Sequence, residues 1–180
     1  YSGVASIHKA AVRAGKTSTT FDHEADKRQD ILTKEGFQMA LNCVLRIEKD
    51  GLFTCAPHCG SFITACAANH KRSEVNNFMG DLDRAFVQKG TDIATATAFL
   101  LMVASVRGVR CVLENPPSSR IFKFPVMKYA LKSSWFNWSA IVHRCGYSTE
   151  PRGKRIGKQY KFVANFEEIG MVQNKCPCQG

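Results

Sequence analysis

The chain has 180 residues, of which 44% are hydrophobic and 22% are charged, and its formal net charge is +10. This length and composition suit one globular domain with a substantial core, and they exclude a low-complexity chain. The basic charge favours an anionic partner, either DNA or RNA or a protein complex with an acidic docking surface. A merely solubilising basic surface is the alternative.

The cysteine pattern indicates a reducing compartment. Most of the eight cysteines lie within apolar runs, as the reduced cysteines of intracellular proteins do, so we expect an intracellular location. No signal peptide is visible. The most apolar stretch, residues 93–106, is shorter than the ~20 residues of a membrane-spanning helix. We therefore expect a buried helix there and no transmembrane segment.

Helical patterns and apolar runs alternate along the chain. Thr33 can cap a helix whose apolar residues have helical spacing, and Thr91 can cap a long helix that ends at Gly108. The polar residues 63–90 are expected to form a long surface excursion. The predicted helices span residues 4–13, 33 to about 47, 91–107 and 124–132. The predicted strands span residues 17–21, 51–55, 109–113, 138–143 and 160–165.

This alternation predicts βαβ units and therefore an α/β fold. We expect a doubly wound, Rossmann-like, mostly parallel sheet with helices on both faces. Residues 1–165 would form this domain, and we expect its first strand to be truncated, because Tyr1 looks like the tail of a strand entering a turn. Residues 166–180 are expected to form an irregular C-terminal tail.

Two loops that each leave an apolar strand carry the strongest candidate site. Residues 56–62 contain Cys59, and residues 114–117 begin with Glu114. Ligands of an open parallel sheet bind outside the carboxyl ends of its strands, so we expect a nucleophile and an acid in one crevice. We expect the adjacent His58 to lower the pKa of the Cys59 thiol. The alternatives are a structural cysteine and a glutamate that only caps its loop.

Four further residues lie where nucleotide-binding folds contact their ligand. Gly3 and Ala5 belong to a small-residue turn before a helix, where a cofactor can approach the backbone. Asp22 follows the predicted strand 17–21, where an acid can bind ribose hydroxyls, and Asp30 can accept a hydrogen bond from an adenine amino group. An ordinary loop acid or turn cap is the alternative for each aspartate.

In this order the features resemble the cytosine-5 DNA methyltransferase family, which has a class I S-adenosylmethionine-dependent fold. The family's motifs run from Phe-x-Gly-x-Gly through a strand-end acid and an Asp element to Pro-Cys-Gln and Glu-Asn-Val. The matching loops here are Pro57-His58-Cys59 and Glu114-Asn115-Pro116. The resemblance spans residues 1 to about 165, and it implies S-adenosylmethionine as the cofactor and a nucleic acid as the substrate.

The resemblance also assigns roles to individual residues. Cys59 would add to C6 of a flipped cytosine, and Glu114 would hydrogen-bond the N3 edge of that base. The implied cofactor contacts are Gly3 and Ala5 at the methionine end, Asp22 at the ribose, Asp30 at the adenine, and Pro57. The implied phosphate contacts are Arg152, Lys154 and Arg155.

Other interpretations stay open. His58 and Gly60 stand where the family has proline and glutamine beside the cysteine, and no target-recognition domain fits into the chain. These departures favour, as an alternative, a catalytically inactive methyltransferase-fold protein that serves as a structural or adaptor subunit. Asn115-Pro116-Pro117 is also similar to the Asn-Pro-Pro motif of amino-methyltransferases, which grips an exocyclic amine. We predict no metal site, because paired Cys-x-x-Cys spacing is lacking among Cys55, His58, Cys59, Cys66 and His70.

Overall fold

A four-stranded mixed sheet forms the centre of the molecule. The computed structural model describes residues 6–146 and 157–176. Its strands are β1 (Leu52–Cys55), β2 (Arg110–Asn115), β3 (Trp138–His143) and β4 (Gln159–Ala164). They follow the order β1-β2-β4-β3, with β1 parallel to β2 and β4 antiparallel to both β2 and β3.

The predicted doubly wound, mostly parallel sheet is wrong. In the described part of the chain only β1 and β2 run parallel, because β4 lies between β2 and β3 in the opposite direction. A parallel pair needs a long crossover, and the connection from β1 to β2 supplies one that contains the longest helix. Residues 17–21 form no strand. Their high β-propensity is not sufficient to form a strand, because side chains with this propensity stabilise a strand mainly by packing against neighbouring strands.

The helices begin and end largely where local signals place them. In the described residues the α-helices are α1 (Ser6–Arg13), α2 (Lys34–Leu45), α3 (Ala67–His70), α4 (Ala85–Val106) and α5 (Pro125–Ser133). The 3₁₀ helices are Lys27–Gln29, Thr64–Cys66, Glu74–Asn76, Arg120–Lys123, Arg144–Gly146 and Glu167–Val172. The predicted cap of α2 is confirmed, because Thr33 Oγ1 accepts a hydrogen bond from the amide of Gly36 at 3.0 Å.

Helix α4 is the central helix of the core. It begins at Ala85, well before the predicted cap, and the Thr91 hydroxyl instead donates to the carbonyl oxygen of Val87 at 3.0 Å within the helix. Among the described residues, α4 is the one helix long and apolar enough to cross a membrane by length and composition. Half of its most apolar window is buried inside the protein, as the core helix of a globular domain is.

The two faces of the sheet are covered unequally. Along β2, Cys111 and Leu113 belong to the larger core cluster, and Val112 between them belongs to a smaller one. The larger cluster contains buried residues of α2, α4 and α5, so these three helices share one face. The prediction of helices on both faces is therefore wrong for α2, α4 and α5, which all pack on the same face. The smaller cluster is Val112, Ala140, Ala164 and Ile169, the last of which lies in the 3₁₀ helix Glu167–Val172.

Candidate active site

The loops that follow β1 and β2 lie side by side at one edge of the sheet. We call residues 56–62 the Cys59 loop; Glu114 and Asn115, predicted to follow the strand, are the last two residues of β2. The Asn115 Nδ2 donates to the carbonyl oxygen of Pro57 at 3.0 Å, and the amide of Arg120 donates to the carbonyl oxygen of Phe62 at 2.8 Å. Because β1 and β2 are parallel neighbours, both loops leave the same edge. The predicted placement of the two loops together is confirmed.

Cys59 and Glu114 both lie at this edge. The half-buried Cys59 lies in a tight turn. Its backbone carbonyl oxygen accepts hydrogen bonds from the amides of Phe62 (2.7 Å) and Ile63 (3.1 Å). Glu114 is half-buried near the end of β2 and pairs directly with Phe162 of β4. The Glu114 charge adds to the rise in the pKa of the Cys59 thiol. Their catalytic roles stay predictions.

Burial dominates the protonation of both groups. It raises the pKa of the Cys59 thiol; the amide of Cys59 and the nearby Lys158 oppose this rise, and the Glu114 charge adds to it. Burial also raises the pKa of the Glu114 carboxyl, and Lys158 opposes it. The expectation that His58 lowers the pKa of Cys59 is wrong, because burial raises that pKa and the opposing groups are the Cys59 amide and Lys158. His58 Nδ1 accepts a hydrogen bond from the amide of Gly60 at 3.3 Å.

The two protonation effects favour the neutral forms of both side chains. A carboxyl with a raised pKa stays protonated more readily, and in that form it donates a hydrogen bond. A thiol can act as a nucleophile only after losing its proton, and Lys158 is the neighbouring cation that favours this loss. The edge therefore carries one group that can donate a hydrogen bond and one sulfur.

Strand β4 adds an aromatic wall that the sequence pattern did not assign to the site. Phe162 lies opposite Glu114, and its ring centroid is 6.5 Å from that of Tyr160. Lys158 Nζ lies 4.9 Å from the Tyr160 ring centroid. Aromatic rings beside a cation are the groups on which nucleobases stack.

Asn115 does not support the amino-methyltransferase interpretation. Its side chain is 1% exposed, its Nδ2 is engaged with Pro57, and its Oδ1 is buried without a hydrogen-bond partner in the described residues. An asparagine that grips an exocyclic amine must offer its amide oxygen to the ligand. Here that oxygen is covered by protein.

Asp22 and Asp30 are engaged by neighbours in their own segment. Asp22 is 4% exposed, and its Oδ1 accepts a hydrogen bond from the amide of Glu24 at 3.0 Å. Asp30 Oδ1 accepts from the amide of Leu32 at 3.0 Å. Neither aspartate follows a strand, because residues 17–21 are irregular. Both side chains therefore act as turn caps, which is the alternative given in the sequence analysis. As they are placed, they do not fit the predicted contacts to the ribose and adenine of S-adenosylmethionine.

The other predicted contact residues fall into two groups. Pro57 is buried, and its carbonyl oxygen is the acceptor that fastens the Cys59 loop to Asn115. The remaining predicted residues lie outside the described part of the chain: Gly3, Ala5, Arg152, Lys154 and Arg155.

Arg72 is the main residue of this region that sequence reasoning missed. The sequence pattern places it in a surface excursion, yet it is 0% exposed, and its guanidinium carbon lies 3.8 Å from the Phe62 ring centroid. Its Nε donates to the carbonyl oxygen of Ser61 at 2.7 Å. Its other donors reach the carbonyl oxygens of Phe78 (2.9 Å), Met79 (2.8 Å) and Val87 (3.0 Å), and the hydroxyls of Ser61 (3.2 Å) and Thr91 (3.0 Å).

The environment of Arg72 explains how a buried cation is tolerated. Desolvation lowers the pKa of Arg72 to about 10, yet its donors are matched by backbone and hydroxyl oxygens. A buried charge without such partners would be strongly destabilising. Arg72 thus holds the Cys59 loop at Ser61, and the only sequence signal for it is a single arginine in a polar stretch.

His70 is also part of the scaffold. It is fully buried, its Nδ1 accepts from the amide of Arg72 at 3.0 Å, and its Nε2 therefore donates to the carbonyl oxygen of Ile63 at 2.9 Å. Both ring nitrogens are thus occupied by backbone. No group of three or more histidine, cysteine, aspartate or glutamate side chains converges within residues 6–146 and 157–176.

Comparisons with protein-family models, with curated proteins and with solved structures find no match.

Proposed function

We propose that this domain activates a cytosine in a nucleic acid by adding the Cys59 sulfur to C6 of the ring, as the first step of a cytosine-5 methyltransferase-like reaction. The observation that carries the proposal is that the segment containing Cys59 and the end of β2 containing Glu114 are hydrogen-bonded neighbours at one edge of two parallel strands. The resemblance of the motif order to the cytosine-5 DNA methyltransferases supports the same reaction.

The residues at the edge suit this step chemically. Glu114 in its protonated form donates to N3 of the cytosine and withdraws electrons from the ring, which makes C6 a better electrophile. Lys158 favours the thiolate of Cys59 that attacks C6. The ring of Phe162, opposite Glu114, offers an apolar surface beside the base.

The methyl donor stays a prediction. The resemblance implies S-adenosylmethionine, which supplies an electrophilic methyl group when bound. Asp22 and Asp30, as they are placed, do not fit the predicted cofactor contacts. The proposal is therefore confined to what Cys59, Glu114 and Lys158 do to the base.

Exchange of the hydrogen at C5 of cytosine tests the proposal without a methyl donor. When sulfur adds to C6, C5 takes a deuteron from heavy water; loss of the original C5 proton and of the thiolate then restores the ring. Mass spectrometry of a cytosine-containing single-stranded oligonucleotide reads out the deuterium. We expect exchange with the unmodified chain, none with Cys59→Ser, and a rate lowered by about 100-fold or more with Glu114→Gln.

Cys43→Ser is the matched control, because Cys43 is a partly buried cysteine on α2 outside the site. It should exchange like the unmodified chain. Retained exchange in a folded Cys59→Ser variant, or none in the unmodified chain, would contradict the proposal.

A second candidate is a non-catalytic structural or adaptor subunit. It is favoured by the raised pKa of Cys59, which disfavours the thiolate, and by the local engagement of Asp22 and Asp30. Isothermal titration with S-adenosylmethionine separates the candidates. Saturable binding to the full-length protein would contradict the purely structural candidate, and absence of both binding and exchange would favour it.

A further inference from the structure

A basic groove lies between the turn at Asn77–Phe78 and helix α5. Its cavity has a volume of about 360 Å³. We name it the basic groove and define it by Phe78, Lys123, Lys128, Tyr129 and Lys132. No acidic side chain is among its lining residues in the described part of the chain.

Helix α5 supplies one wall of the basic groove through its exposed face. Lys128 and Lys132 are four residues apart, so they lie one turn above each other, and Tyr129 lies beside them. All three are exposed, and the Tyr129 side chain is 65% exposed. The opposite face of α5 is buried in the core through Met127, Ala130 and Leu131. The helix is therefore anchored while its basic, aromatic face meets solvent.

The other wall is held in a strained backbone conformation. Phe78 has a φ of +59°, which is unfavourable for a bulky residue. Its amide donates to the carbonyl oxygen of Ser73 at 2.7 Å, and its own carbonyl oxygen accepts from Arg72 Nη1 at 2.9 Å. A strained residue persists only when its surroundings fix it. The buried Arg72 thus helps to hold the backbone of Phe78 beside the groove.

The positive charge of the basic groove is largely uncompensated. Lys123 Nζ lies 5.5 Å from the Phe78 ring centroid and 3.9 Å from Glu74 Oε1. Both side chains of that ion pair are mostly exposed, so the pair contributes little. Lys128 and Lys132 form no ion pair shorter than 4.0 Å with a described residue. Lysines beside an exposed tyrosine ring suit a polyanion whose bases are free to stack.

The basic groove is linked directly to the candidate active site. Lys123 ends the 3₁₀ helix Arg120–Lys123, and the amide of Arg120 donates to Phe62 in the Cys59 loop. We propose that the basic groove binds a single-stranded nucleic acid, with its lysines on the phosphates and a base stacked on Tyr129. That this nucleic acid is the substrate rests on the proposed function. That the basic groove binds a single-stranded nucleic acid does not.

Fluorescence anisotropy of a labelled, mixed-sequence single-stranded DNA of twenty nucleotides tests the proposal on the full chain. Lys128→Ala/Lys132→Ala should weaken binding and, by removing two phosphate contacts, lower the slope of log K against log salt by about 1.4. Lys9→Ala/Lys34→Ala removes the same charge from exposed positions on α1 and α2 and should leave the slope unchanged. Tyr129→Ala should lose about tenfold in affinity, and Tyr129→Phe should retain it, because the ring and not the hydroxyl stacks.

Four results would overturn the proposal: no binding by the unmodified chain, equal losses in the two double variants, equally tight binding of a duplex of the same sequence, or binding of polyglutamate in place of DNA. The last would identify an acidic protein as the partner. Deuterium exchange at C5 on the same oligonucleotide keeps the two proposals apart. Groove-dependent binding without exchange contradicts only the proposed function, and exchange unaffected by the groove variants contradicts only the groove.

Discussion

At Glu114, a carboxyl group lies in surroundings that favour its neutral form. Burial raises its pKa, so the folded state holds the proton more tightly than the unfolded state does. The free energy of unfolding is therefore highest at low pH. It falls as the pH rises from the pKa of Glu114 in the unfolded state, about 4.5, to its higher pKa in the folded state. Above the folded value the penalty is constant.

Glu114→Gln should therefore raise the free energy of unfolding at pH 8 and leave it unchanged at pH 4. We expect a gain of roughly 1 kcal/mol at most, since solvent reaches part of the carboxyl and screens the penalty. Urea unfolding at both pH values measures it. Glu48→Gln, at an exposed loop position, is the control and should show no difference between the two. A loss of stability at pH 8 would mean that Glu114 is needed as a charged partner.

At the scale of elements, helix α4 carries the core. Leu101 is 0% exposed and belongs to the larger core cluster, whereas Val106 at the end of the same helix is 89% exposed. Leu101→Ala should lower the free energy of unfolding by about 2–5 kcal/mol through lost burial and a cavity. Val106→Ala should change it by about 0.5 kcal/mol or less. Urea denaturation compares the two, and similar losses would show that α4 does not pack as described.

Local chemistry explains which elements the sequence predicts. The Thr33 cap, Pro125 at the start of α5 and the apolar run before Pro57 each act within a few residues, and the corresponding elements form. The start of α4 depends on a long-range contact instead. The sequence predicts Thr91 as the cap. Its hydroxyl instead accepts a hydrogen bond from the guanidinium of Arg72, nineteen residues away, and donates one to the carbonyl oxygen of Val87. No local pattern reveals such a contact.

The candidate site divides in the same way. Cys59 and Glu114 were predictable, because a residue at the carboxyl end of a parallel strand needs only the strand and its direction. The sequence pattern does not place Lys158 at the site. Lys158 directly precedes β4, and it comes to this edge because β4 lies antiparallel beside β2. Strand order is decided by packing across the whole sheet, and the alternation of strands and helices suggested a parallel arrangement that β4 does not follow.

At the scale of the whole molecule, the sheet has one thick face and one thin face. Three helices cover the first, and the 3₁₀ helix Glu167–Val172 contributes Ile169 to the second. Glu114 lies in β2 next to Leu113, so it belongs with Val112 to the thin face. The thin face therefore depends on few apolar contacts in the described residues.

Ile169→Ala should lower the free energy of unfolding by about 2 kcal/mol, because it removes a 7% exposed side chain from a cluster of four buried residues. Met171→Ala, in the same 3₁₀ helix but 85% exposed, should have almost no effect. Thermal unfolding followed by circular dichroism compares them. Equal midpoints for the two variants would mean that this segment does not cover the sheet.

The buried guanidinium of Arg72 also limits how the molecule can move. It joins Ser61 beside Cys59 to the Phe78–Met79 turn and to Val87 in the first turns of α4. Detaching the Cys59 loop would take the acceptors at Ser61 away from a buried guanidinium, and such a loss is costly away from water. The loop is thus unsuited to act as a lid. A ligand of the proposed site would enter an edge that is already in its final shape, so it would be selected by fit on entry and not by closure around it.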